Sequence, residues 1–82
     1  MGTIYKYKLE DFTNISCLSE DLGAFYECYE EYQKDNTRSK RFALEQAGEE
    51  LGFTIKHRRI EGIITPQFAD ELNEHVGGLM YD

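Results

Sequence analysis

The chain has 82 residues, a net charge of −7 and 40% hydrophobic residues. That length suits one domain with a modest core and leaves no room for a linker. No uninterrupted apolar run approaches the roughly 20 residues that cross a bilayer, and the acidic balance argues against non-specific attraction to phosphate backbones or anionic lipid.

The charge is unevenly spread. Residues 10–33 carry Glu10, Asp11, Glu20, Asp21, Glu27, Glu30 and Glu31 without a Lys or Arg, and residues 61–82 carry Glu61, Asp70, Glu71, Glu74 and Asp82, also uncompensated. Seven of the nine basic side chains fall between positions 34 and 59: Lys34, Arg38, Lys40, Arg41, Lys56, Arg58 and Arg59. The opening residues Met-Gly-Thr-Ile-Tyr-Lys-Tyr-Lys lack an apolar stretch with a cleavage site, so a cytoplasmic protein is expected.

In chain order, Tyr5, Tyr7 and Leu9 alternate with Ile4, Lys6 and Lys8, which predicts a strand over 3–9. Ser19 reads as an N-cap, with Glu20 and Asp21 where a helix dipole favours negative charge. Leu22, Phe25, Tyr26, Tyr29 and Tyr32 then follow helical spacing over about 20–34. Glu20, Glu27 and Glu31 project from the opposite side of that helix, with Glu30 on its flank.

The stretch 35–39 is a break, and Thr37 or Ser39 can cap the next helix. Ala43, Leu44, Ala47, Gly48 and Leu51 make a narrow stripe, and Gly52 reads as a stop. A second helix over about 40–51 is expected, with Phe42 pointing away from its stripe, either folded back on the preceding loop, which is the favoured reading, or exposed for a partner. Phe53, Ile55 and His57 alternate with Thr54, Lys56 and Arg58, which predicts a strand over 53–60 that turns at Glu61-Gly62. Thr65-Pro66 starts a third helix with Phe68, Ala69, Leu72 and Val76 buried, before Gly77-Gly78 ends it. Its outer face carries Asp70, Glu71 and Glu74. Residues 79–82 make either a frayed tail or a short edge strand. The sum is an α+β fold: three helices packed on a small antiparallel sheet, in the order β-α-α-β-α with room for a terminal strand.

Few residues point to chemistry. There is no Gly-rich phosphate loop, no His-Glu-x-x-His, no Gly-x-Ser-x-Gly and no Cys-x-x-Cys. Cys17, Cys28, His57 and His75 make a nominal Cys2His2 set, but their gaps match no structural zinc spacing. The two cysteines read as reduced thiols, and Cys28 and His57 as structural rather than catalytic. A non-enzymatic protein with no cofactor and no metal is expected.

Residues 44–61 resemble the helix-turn-helix of the sigma-factor region that reads promoter DNA. Gly48, Leu51, Gly52, Phe53 and Thr54 stand where that motif places its small residue, first-helix anchor, turn glycine, following apolar residue and second cap. The resemblance implies a DNA-binding transcriptional regulator. In it Lys56, His57, Arg58 and Arg59 open a recognition helix, while Arg38, Lys40 and Arg41 grip phosphate. A recognition helix also needs apolar residues on its inner face, where this chain has Arg58 and Glu61, and the strand reading of 53–60 needs no such exception.

The favoured expectation rests on the two acidic faces. Carboxylates spaced over a rigid surface can imitate a nucleic-acid backbone and draw a basic groove by Coulomb steering. In size and charge the chain is similar to phage and mobile-element anti-defence proteins of the anti-CRISPR and anti-restriction kind. The expected partner is a basic, nucleic-acid-binding protein, met by Glu20, Glu27, Glu30, Glu31, Asp70, Glu71 and Glu74.

Overall fold

A computed structural model describes residues 7, 12, 15 and 17–81. Three helices follow one another: α1 (Leu18–Lys34), α2 (Arg38–Ile60) and α3 (Pro66–Tyr81). No strand occurs among the described residues, so the α+β expectation is corrected to an all-helical fold. The strand expected over 3–9 falls outside the described residues apart from Tyr7.

The first helix buries Leu18, Leu22, Phe25 and Tyr26 on one face, with Tyr29 and Tyr32 half-buried along the same stripe. Glu20 and Asp21 occupy the first turn and Lys34 the last, as the helix dipole favours. Ser19 is not the cap. Cys17 takes that position with a φ of 69° and no side-chain cap bond, so the helix starts earlier than Ser19 implied. The chain reverses over 35–37, and Thr37 Oγ1 accepts a hydrogen bond from the Lys40 amide at 3.3 Å, capping α2.

The largest correction concerns 53–60, which continues α2. The buried residues Leu44, Gly48, Leu51 and Ile55 repeat at intervals of four, three and four, so one helical stripe runs past Gly52 without interruption. A strand would have placed Phe53 and Ile55 on the same side; instead Phe53 is 62% exposed and Ile55 1%. Gly52 does not carry a positive φ. The stop falls ten residues later at Gly62, with φ +79°. Its amide donates to the Arg59 carbonyl at 3.0 Å and that of Ile63 to the Arg58 carbonyl at 2.9 Å. These two reverse bonds close a helix C-terminus around a left-handed glycine. Glu61-Gly62 is therefore a turn, as expected, but one that ends a helix.

Thr65 and Pro66 open α3 as the sequence indicates: Thr65 Oγ1 accepts from the Phe68 amide at 3.1 Å. Ala69, Leu72 and Val76 are buried. The helix runs through Gly77-Gly78 to Tyr81 because Leu79 and Met80 still pack against the core. No terminal strand forms over the described residues of 79–82.

Short connections make neighbouring helices antiparallel. A helix of 23 residues is about 34 Å long, so α2 alone nearly spans the 38 Å long axis. Phe25, Leu18, Leu22, Leu44, Leu51, Ile55 and Leu72 are fully buried, each contributing about 1.5–3 kcal/mol by leaving water. The third helix approaches α2 through a notch at Gly48, where a Cβ would lie 2.5 Å from Met80 Sδ and 3.5 Å from Phe25 Cε1. Between α1 and α3 the gap is filled by Tyr7 and Phe12. Tyr7 meets Phe68 edge-on at 5.6 Å and His75 at 5.3 Å, and Phe12 lies 5.7 Å from Phe68. No described helix is long and apolar enough to cross a membrane.

Candidate functional site

The outward side of α1 carries Glu20, Glu27, Glu30 and Glu31, all exposed. Their position follows from the buried stripe: once Leu22, Phe25 and Tyr29 turn inward, residues about half a turn away must face water. Glu27, Glu30 and Glu31 border one open depression together with Lys34, Asp35 and Lys40. Glu20 stands about 10 Å away along the helix axis from Glu27. Asp70 and Glu74 are exposed on α3 and Glu71 is half-buried there. The seven expected contact residues thus divide between two helices, with three of them grouped.

Within the group, Lys40 Nζ lies 2.7 Å from Glu31 Oε1. That bond holds the Glu31 carboxyl below its usual range and raises the Lys40 ammonium. Beside it, burial and then the charges of Glu27 and Glu31 push the Cys28 thiol up. Fewer thiolates form at neutral pH as a result, the reverse of what a nucleophile needs.

The basic residues are divided in the same way. Arg41 is held by all three helices: Nε donates to Glu45 Oε2 at 3.0 Å, a terminal nitrogen donates to the Met80 carbonyl at 2.8 Å, and the guanidinium lies 5.7 Å from the Tyr32 ring and 5.6 Å from the Tyr81 ring. Arg58 Nε sits 3.1 Å from Glu61 Oε1, and Lys40 holds Glu31. Arg38, Lys56 and Arg59 are exposed. The helix-turn-helix that 44–61 resembles has no turn here, since α2 passes straight through Gly52, and three of the six cations that this alternative assigns to DNA are engaged within the chain.

Two features are not assembled by a reading of the sequence alone. Glu45, Glu49 and Glu50 are exposed on α2 and belong to neither acidic face expected above. Phe42, expected to pack, is 62% exposed, and Phe53 and Ile60 are exposed with it. Their spacing of eleven and seven puts all three on one side of a continuous helix, a signal visible only once 38–60 is read as a single element.

No known family model, curated protein or solved structure matches the chain.

Proposed function

We propose that this chain is a non-enzymatic binding protein whose anionic helices α1 and α3 occupy the basic, nucleic-acid-binding groove of a partner and so inhibit it. The supporting observation is how charge is allotted among the helices. Most cations sit on the central helix α2, where Lys40, Arg41 and Arg58 are engaged by the chain's own carboxylates and by a backbone carbonyl. The third helix bears Asp70, Glu71 and Glu74 and no Lys or Arg at all. On α1, Glu27 and Glu30 stand within about 5 Å of helix axis, beside Glu31, whose charge Lys40 offsets.

Binding of this kind is steered over long range and weakened by salt. The test uses the chain as bait in a host lysate, at low and high salt, beside a Glu27→Lys, Glu30→Lys double variant. The expected outcome is a nucleic-acid-binding protein that duplex or single-stranded nucleic acid displaces, that elutes with salt, and that the variant fails to hold. A partner indifferent to salt and charge reversal would overturn the reading. So would retention of duplex DNA by the pure chain in a low-salt gel shift that an Arg59→Ala, Lys56→Ala variant loses, which would favour a regulator acting through α2.

A further inference from the structure

The outer side of α2, turned away from the core, carries Phe42, Phe53 and Ile60, exposed by 62%, 62% and 68%. At 100° per residue they fall within about 20° of one line, spread over about 27 Å of helix. Large apolar side chains scattered singly over a surface need no explanation, but three in register on one helix mark a contact face. Charge is ordered along the same face. Exposed Arg38 opens this flank, Glu45, held by Arg41, and Glu49 follow, and Lys56 and Arg59 lie towards its end; it is the flank nearest α3's Met80 and Tyr81, as the cleft lined by Glu45, Glu49, Met80 and Tyr81 indicates for the two carboxylates.

Such a face is complementary to itself reversed. A two-fold axis passing near residue 51 brings Phe42 of one copy against Ile60 of the other at each end. It sets the two Phe53 rings about 6 Å apart along the axis in the middle. The same operation preserves the flank while reversing direction, so Glu45 and Glu49 of one copy come beside Lys56 of the other, twice. A parallel arrangement would set this flank against the opposite one, which carries Gln46, Glu50 and His57, and would form no such pairs.

From this we infer that the chain associates with a second copy of itself, antiparallel, through the outer face of α2. The contact leaves the acidic faces of α1 and α3 outside and does not depend on the function proposed for them. One helix face from each copy is small for an interface, so association belongs at micromolar or higher concentration.

Sedimentation equilibrium of the full chain from about 10 to 500 µM tests it. The mass is expected to rise from 9.6 kDa and level off at twice that value. Phe53→Glu changes an exposed side chain, and circular dichroism checks that its helices are intact; it is expected to hold the chain at 9.6 kDa. Lys56→Glu should weaken the dimer by about tenfold, and adding Glu49→Lys in the same chain should recover part of that loss, because the pair between 49 and 56 is re-formed with signs exchanged while Glu45 is unchanged. A wild type that stays monomeric throughout, a mass that climbs past two copies, or a dimer unmoved by both Phe53→Glu and Lys56→Glu would each overturn the inference.

Discussion

The two ends of the bundle are fastened by different physics. Near the 35–37 connection the fastening is polar and partly wet: Arg41 lies between Tyr32 and Tyr81 while donating to Glu45 and to the Met80 carbonyl, and Lys40 meets Glu31 at the surface. Along the seam between α1 and α3 it is aromatic and mostly dry. Phe12 and Tyr26 are buried, and Tyr26 donates its hydroxyl proton to the Tyr7 carbonyl at 2.8 Å. With that proton committed, the 3.1 Å contact between Tyr26 and His75 Nε2 requires a hydrogen on Nε2. Burial, and next the neighbouring Tyr7, push the Tyr26 hydroxyl up to about 12 from 10.0. One end should therefore answer to salt and the other to cavities and high pH.

The aromatic end should yield the largest effect. Phe12→Ala empties space among Tyr7 and Phe68, and a loss of about 3 kcal/mol in chemical denaturation is expected; a loss below about 1 kcal/mol would show that the seam is not a core. Tyr26→Phe should cost about 1–2 kcal/mol at pH 8 by removing two hydrogen bonds. Its pH profile is the sharper readout. Because the folded chain holds the Tyr26 proton more tightly than the unfolded one, this contribution is complete below pH 10 and is lost as pH rises towards 12. The variant should lack that part of the decline, so wild type and variant converge between these limits.

At the polar end, Arg41→Ala should cost about 1 kcal/mol and loosen the last turn of α3, read as faster amide exchange at Leu79, Met80 and Tyr81. Between the two ends, Gly52→Ala tests the rod that joins them. Nothing lies within 4 Å of a Cβ built there, so alanine should raise stability by about 0.5–1 kcal/mol; a glycine in a turn of positive φ would make the same change destabilising. Lys40→Ala should have the smallest effect, one that disappears in added salt, since the pair with Glu31 is exposed.

How much of this is written in the sequence varies by element. The first and third helices follow from their apolar stripes, and the start of α3 from Thr65-Pro66. Residues 53–60 mislead because the six residues Phe53 to Arg58 alternate apolar or aromatic with polar side chains and satisfy a period of two locally. What makes them helical is non-local: Ile55 continues the stripe of Leu44, Gly48 and Leu51 and is buried against the rest of the core. Gly52 has the signature of a stop but sits at a position any residue could occupy, while Gly62 carries the real one. Which acidic residues face outward is legible from periodicity. Which cations are engaged is not, because Lys40 finds Glu31 and Arg41 finds Met80 only after the helices dock.

The notch at Gly48 has a chemical consequence. The Met80 thioether fills the space that any side chain at position 48 would need, yet Met80 is only half-buried. Conversion to the sulfoxide makes an apolar plug polar. Oxidant exposure should therefore pry α3 from α2 first, and a reductase acting on that one sulfur would restore the joint.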